Sequence, residues 1–227
     1  MQLTDKTITL LKNFASIQPN LVVTKGNTIK TIAEAKNIIA SATLEQEFPV
    51  DFGIYDLDEF LGVLDLVDSP TLVFDDDYLT VSDSNGTSKV RYYYSAADNL
   101  TTMSKEVSMP NTVIELKLTK ATLEKIRRAS AALGHDKLLI QDNDGSISLS
   151  VTDLKDDTSN SFTIEVPGTY EEGAKFSMLI NIANFKLVPD DYTVYLADKL
   201  ISKFESASGD VNYLIALDKS STYEGGN

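Results

Sequence analysis

Two aspartate clusters and a single histidine are the residues of this chain that could build an active site. The clusters are Asp75-Asp76-Asp77 and Asp142-Asn143-Asp144-Gly145, and the histidine is His135. Carboxylates bind hard cations such as Ca²⁺, whereas zinc sites need several histidine or cysteine ligands, and the chain has no cysteine. In the second cluster, Ile147 and Asp153 occupy the positions where a calcium loop requires glycine and glutamate. We therefore expect a hairpin turn there.

Other catalytic sets are missing from the sequence as well. There is no glycine-rich phosphate loop and no Gly-x-Ser-x-Gly motif. His135 follows Gly134, which suits the end of a helix, and Asp75-Asp76-Asp77 would hold a cation only weakly. We predict that the protein is not an enzyme and has no catalytic residue, metal or cofactor. A metal-dependent hydrolase is the least favoured alternative.

The charge balance is acidic, with 20 Lys+Arg against 34 Asp+Glu and a net charge of −14. Taken alone, this balance argues against binding to DNA, which is itself a polyanion. The cations are nevertheless denser on the predicted helices than elsewhere, although an ordinary solvated helix surface would also explain that enrichment. The helix cations are Lys6, Lys12, Lys120, Lys125, Arg127, Arg128 and Lys186.

The helices that carry these cations follow from hydrophobic periodicity. Spacings of three and four residues predict helices at 3–16, 56–66, 119–133 and 181–187. Alternating apolar residues and turn signals predict strands between them. These strands are 21–23, 28–32, 37–43, 47–54, 71–74, 78–82, 87–94, 112–117, 137–142, 145–153, 160–166, 174–180, 191–197, 200–206 and 211–217. The pattern indicates an α+β protein in which helices cover one face of antiparallel sheets.

This order of elements occurs twice. Residues 3–8 (LTDKTI) return as 118–123 (LTKATL), and residues 55–60 (YDLDEF) return as 180–185 (INIANF). Repeated units of this size indicate a duplicated domain. We predict an N-terminal domain at 1–108, with an interdomain connector at about 95–111, and a C-terminal domain at 109–227.

No segment predicts contact with a membrane. No apolar stretch reaches the roughly 18 residues that a membrane-spanning helix needs. The N-terminal residues lack the apolar core and cleavage site of a signal peptide, so we expect a soluble protein that is not exported.

Three segments resemble those of the sliding clamps of T-even-type phages. They are residues 10–15 (LLKNFA), 54–64 (IYDLDEFLGVL) and 180–186 (INIANFK). The resemblance extends over essentially the whole chain in its length, its doubled order of elements and its acidic character. It implies two repeated DNA-clamp domains and a homotrimeric ring, with helices lining the hole and sheets outside.

The same resemblance implies a function in DNA replication. A clamp encircles duplex DNA without reading its sequence and tethers the replicative DNA polymerase, after an ATP-driven clamp loader has placed it there. Transcription factors are further expected partners, and the expected location is the cytoplasm of the infected bacterial host. The seven helix cations would then face DNA, whereas the helix at 56–66 has no cation to contribute.

Two protein-binding surfaces also follow from the resemblance. Subunits would join through edge strands at 87–94 and 159–166. Partner peptides would dock beside the connector, although ordinary domain packing is the alternative role for the candidate pocket residues. These candidates are Ile38, Val107, Met109, Pro110, Tyr213 and Ile215. The alternative function is an acidic β-rich interaction module, or a virion-associated scaffold, with no role on DNA.

Overall fold

The computed structural model describes residues 1–103, 106–156 and 158–226. The chain divides into two compact units, Met1–Glu106 and Val107–Asn227. The predicted connector contains Ser104 and Lys105, which lie outside the described residues.

In the first unit, the described residues form two helices over three small sets of antiparallel strands. The helices are α1 (Asp5–Ile17) and α2 (Leu57–Asp65), and they pack against each other. Strand β1 pairs with β4, β2 forms a hairpin with β3, and β5, β6 and β7 follow one another in a meander. The strands are β1 (Leu21–Val23), β2 (Gly26–Ile32), β3 (Ile38–Phe48), β4 (Phe52–Ile54), β5 (Thr71–Phe74), β6 (Tyr78–Ser82) and β7 (Lys89–Tyr93).

In the second unit, the described residues form one long helix and two five-stranded sets of antiparallel strands. The helix is α3 (Lys120–Leu133). One set has the order β11-β10-β9-β13-β17 and the other β12-β8-β14-β15-β16. The strands are β8 (Thr112–Leu118), β9 (Lys137–Asn143), β10 (Ser146–Val151), β11 (Phe162–Val166), β12 (Gly168–Tyr170), β13 (Lys175–Asn181), β14 (Tyr192–Ala197), β15 (Ile201–Ser206), β16 (Val211–Ala216) and β17 (Thr222–Glu224).

The sequence repeat places the same cap at the start of two helices. The Thr4 hydroxyl accepts from the amide of Thr7 at 3.2 Å, and the Thr119 hydroxyl accepts from the amide of Thr122 at 3.1 Å. Each hydroxyl satisfies one of the amides that a helix leaves unbonded at its N-terminus. The residues that begin the repeat therefore fix where α1 and α3 start.

The second part of the repeat is less regular. Asp56 caps α2, and Asn181 accepts from the amide of Ala183 in the same way. The predicted helix at 181–187 is nevertheless wrong, because only a single 3-10 turn, Ile182–Asn184, forms there. The backbone of Phe185 has φ −75° and ψ 56°, outside the helical region, so the helical turn stops there.

The strand pattern between 37 and 54 also differs from the prediction. We expected separate strands at 37–43 and 47–54, whereas β3 runs unbroken from Ile38 to Phe48. No glycine or proline stands between residues 43 and 47 to end the strand. Gln46 instead accepts from the Thr7 hydroxyl at 2.7 Å and so ties α1 to β3.

We expect the hydroxyl at Thr119 to stabilise the second unit measurably. Thr119→Ala removes the cap of α3 and should lower the free energy of unfolding by about 1 kcal/mol. Thr119→Ser keeps the hydroxyl and should lose much less. Urea unfolding of both variants tests this, and equal losses would show that the hydroxyl is not the source of the stability.

Candidate nucleic-acid interface

Two cations stand on the solvent-exposed side of α3. The helix buries Leu123 and Ile126, which lie three residues apart on one side. Lys125 and Arg128 also lie three residues apart, on the opposite side, and both are exposed. A helix therefore holds a pair of positive charges at a fixed separation, away from the sheet that it covers.

Arg127 has a different role from the one predicted. Its guanidinium donates to the backbone carbonyl oxygens of Phe185 at 2.5 Å and Leu187 at 3.1 Å, and its side chain is half-buried. Those carbonyls follow the 3-10 turn, where a continued helix would have supplied their donors. Arg127 therefore joins α3 to this segment through its Nη2 group.

Two tyrosines hold the same segment from the sheet side. The Tyr192 hydroxyl donates to the carbonyl oxygen of Val188 at 2.7 Å, and the Tyr213 hydroxyl accepts from the amide of Val188 at 3.2 Å. Burial raises the pKa of Tyr213 to about 12 and raises the pKa of Tyr192 as well. Both hydroxyls therefore stay neutral at physiological pH and keep these hydrogen bonds.

The remaining predicted cations occupy three different settings. Lys12 is exposed on α1, whereas Lys6, on the same helix, lies 3.9 Å from the Glu45 carboxylate. Lys120 is exposed in the first turn of α3, where its backbone amide donates to Asp191 at 2.7 Å. Lys186 is half-buried beyond the 3-10 turn, so the helix that should have presented it does not exist there.

The exposed helix cations can attract a phosphate backbone, but they are too few to bind it tightly. Their attraction to phosphates acts through charge, so it does not depend on base sequence. Helix α2 has the opposite charge, because Asp58, Glu59 and Asp65 lie on it and no cation does. Positive charge is therefore unequally shared among the helices.

The residues first considered for metal or catalytic chemistry have other partners. Asp142 accepts from Lys175 at 2.8 Å and from the Tyr170 hydroxyl, and these bonds lower its pKa to about 2. The His135 ring lies 2.9 Å from the carbonyl oxygen of Asn160 and 3.0 Å from the Ser159 hydroxyl. Among the described residues, no cluster of three or more acidic, histidine or cysteine side chains is placed to hold a metal ion.

Three of the six candidate pocket residues have no surface for a peptide to contact. Ile38 is 3 % exposed, and Tyr213 and Ile215 are each 0 % exposed, because their side chains alternate inward along strands. Val107 is 45 % exposed, and Met109 and Pro110 are half-buried. Only the three connector residues can therefore meet a partner in this conformation.

Sequence reasoning missed the acceptors that anchor the two capped helices. Gln46 accepts at the start of α1 from a distance of 42 residues along the chain, and Asp191 does so at the start of α3 from 71 residues away. No local motif marks either residue. Within the described part of the chain, no helix has the length and apolarity to cross a membrane.

Two family models together match most of the chain. The model described as DNA polymerase processivity factor matches residues 4–107, and the model described as gp45 sliding clamp, C terminal, matches residues 113–219.

Individual relatives match over nearly their full length. The sliding clamp of Vibrio phage KVP40 is 33 % identical over 96 % of this chain and 99 % of its own. The sliding clamp of Escherichia phage RB69 is 31 % identical over 99 % of this chain and 100 % of its own. A. fulgidus PCNA, solved with the C-terminal region of FEN-1 bound, has the same fold, with a TM-score of 0.68 at 13 % identity over 93 % of this chain and 94 % of that one.

We expect Arg127 and Arg128 to respond differently to the same substitution. Arg127→Gln should lower the free energy of unfolding by about 2 kcal/mol, because it leaves the Phe185 and Leu187 carbonyls short of donors. Arg128→Gln makes an identical change of charge on the exposed side and should cost at most about 0.5 kcal/mol. Urea unfolding of both variants measures the difference, and equal stability would contradict the anchoring role.

Proposed function

This chain belongs to the family of phage sliding clamps, the DNA polymerase processivity factors, and from that premise we propose how its residues do the work. Three copies close into a ring around duplex DNA, and the ring tethers the replicative polymerase without catalysing a reaction itself. An ATP-driven clamp loader opens and places the ring in the cytoplasm of the infected host. The family resemblance predicted from the sequence is confirmed, which removes the basis for the alternative of a scaffold with no role on DNA.

The exposed pair on α3 carries the proposal for DNA contact. Lys125 and Arg128 are on the face opposite Leu123 and Ile126, so they point away from the sheet that the helix covers. We assign the phosphate contacts to this pair together with Lys12 on α1 and Lys120 at the start of α3. Arg127 is left out, because its guanidinium is occupied by two carbonyls.

A sparse set of cations suits a protein that must slide. Each phosphate contact adds affinity and releases counterions, so a dense basic surface would hold the ring in place. A closed ring is retained by its topology and needs only weak contacts that exchange easily. Three copies carry a summed charge of three times −14, or −42, so DNA outside the hole is repelled.

Two edge strands support the proposed trimer. Among the strands that the structure describes, β7 is paired only with β6, and β11 is paired only with β10. Open edges such as these invite pairing with another chain, and they correspond to the segments that the resemblance assigned to the subunit contact. Three β7-to-β11 contacts in head-to-tail order would close the ring and leave neither edge exposed.

The connector supports the proposed docking of partner peptides. Val107, Met109 and Pro110 offer apolar surface in a short segment without a strand or helix of its own. Small apolar anchors of this kind give weak contacts that exchange readily, which suits a surface used in turn by polymerase, loader and transcription factors. The PCNA neighbour, to which a C-terminal region of FEN-1 is bound, is consistent with this proposal.

We predict that the α3 pair contributes to retention on DNA. Lys125→Glu combined with Arg128→Glu removes two cations from each of three copies, so it should lower the salt slope of DNA affinity by up to about 6, one for each lost phosphate contact. It should also shorten the lifetime of loaded protein on nicked circular DNA. Gel filtration of loaded complexes at several salt concentrations measures both quantities.

Lys199→Glu combined with Lys219→Glu is the matched control for this experiment, because it reverses two exposed lysines, one on the turn between β14 and β15 and one on the turn before β17. The control should behave as the wild type does. If the α3 variant retains the wild-type salt slope while remaining folded, the proposed role of Lys125 and Arg128 is wrong.

We also predict that Val107→Asp weakens stimulation of the replicative polymerase. A carboxylate in an apolar contact costs about 1–3 kcal/mol, so the clamp concentration for half-maximal stimulation should rise about tenfold or more. Primer-extension assays across clamp concentrations measure this shift. Thr102→Asp places the same carboxylate on an exposed residue earlier in the connector and should have no effect. Equal responses of the two variants would move the docking site elsewhere.

A further inference from the structure

The outer face of the β5-β6-β7 sheet carries an unusual group of cations and aromatic rings. Along β7, Lys89, Arg91 and Tyr93 are exposed, whereas Tyr92 between them is 8 % exposed and turns into the core. The register sets Arg91 beside Thr80 and Tyr93 beside Tyr78 on the neighbouring strand. An edge strand of this acidic protein therefore presents two positive charges on its solvent-facing side.

One of these charges is held in place. The Arg91 guanidinium lies 5.2 Å from the centre of the Tyr78 ring, and the Tyr78 ring lies 5.5 Å from that of Tyr93. A cation over an aromatic face is stabilised and loses side-chain freedom before any partner arrives. A partner that binds Arg91 therefore meets a side chain that is already ordered.

Neither cation has an acidic partner in the part of the chain that the structure describes. Across residues 1–103, 106–156 and 158–226, no carboxylate lies within ion-pair distance of Lys89 or Arg91. Proteins commonly place lysine on an open edge to discourage pairing with other chains. Two cations would then permit pairing only with a strand that brings the opposite charge.

The other open edge brings that charge. On β11, Glu165 is exposed on the solvent-facing side, and Val166 next to it is 7 % exposed and buried. The Glu165 carboxylate accepts from the Asn143 amide at 3.0 Å and has no cation beside it among the described residues. It is the only acidic residue of this strand.

We infer that Glu165 of one copy pairs with Lys89 and Arg91 of the next copy, and that this charge contact sets the register and the partner of the subunit joint. The inference rests on the proposed trimer and adds the charged residues that determine which strands pair at the subunit joint. When two edges pair, directly opposite side chains share a face, and both buried faces must remain covered. Two antiparallel registers keep the exposed residues of both strands on one face and pair four residues of each strand. One sets Glu165 opposite Lys89, and the other sets it opposite Arg91.

Each of these registers leaves the second cation diagonal to Glu165. A diagonal neighbour in an antiparallel pair lies about 7–8 Å away, within reach of a long side chain. Glu165 is therefore shared by both cations in either register. A slip by one residue would bring the solvent face of one strand to the buried face of the other, and Glu165 would lose both partners.

Charge reversal with a swap tests this inference. The first variant carries Lys89→Glu and Arg91→Glu, the second carries Glu165→Arg, and the third carries all three substitutions. Like charges across the joint should weaken trimer formation about tenfold or more in the first two variants. The third restores opposite charges and should recover trimer formation to within about threefold of the wild type. Sedimentation velocity over a range of concentrations measures each equilibrium.

A mixture of the first two variants gives a second, independent readout. Opposite charges meet only where one variant contacts the other, and a closed ring of three must contain at least one contact between identical variants. An equal mixture should therefore form mixed dimers but not recover the closed trimer. The triple variant, in which every joint is matched, should close.

The outcomes separate the inference from the function on which it rests. A trimeric wild type with unaffected first and second variants, or a triple variant no better than those two, would overturn the charge contact alone. A wild type that stays monomeric at high concentration would overturn the proposed ring and the charge contact together. Glu34→Arg, on the exposed turn between β2 and β3, is the control for a general effect of net charge and should leave the trimer unchanged.

Discussion

The contact between Arg127 and the carbonyl oxygens of Phe185 and Leu187 governs how α3 presents its charges. Only two side chains of this helix, Leu123 and Ile126, are fully buried, so apolar packing alone attaches it weakly to the rest of the unit. The guanidinium adds charge-assisted hydrogen bonds at a point where backbone acceptors lack helical partners. With the helix fixed in this way, Lys125 and Arg128 remain on its opposite face.

The two copies of the duplicated unit differ in their second helix and in the charge on their helices. In the first, α2 is a full helix that packs on α1 and carries only acidic charge. In the second, the corresponding residues form one 3-10 turn, and α3 carries most of the helix cations. The carbonyls after this turn lack helical donors, and the half-buried Arg127 side chain supplies them.

Sequence reasoning succeeded where the signal was local. The amphipathic spacing of α1 and α3 and the resemblance to phage clamps both depend on residues close together in the chain. It did not predict the Arg127 contact, because a cation on a helix looks the same in sequence whether it meets solvent or a carbonyl from residue 185. It failed likewise for Ile38, Tyr213 and Ile215, because strand alternation alone does not say which face of a strand is covered.

The sequence by itself determined the doubled α+β organisation, the acidic balance and the family. Each of these properties depends on residue types and on short spacings along the chain, because these set the local backbone preferences and the total charge. Only the tertiary structure decided which cations remain exposed, that 181–187 is not a helix, and that β7 and β11 are open edges bearing opposite charge. Those properties depend on contacts between residues far apart in the chain, and such contacts exist only once the sheets and helices have packed.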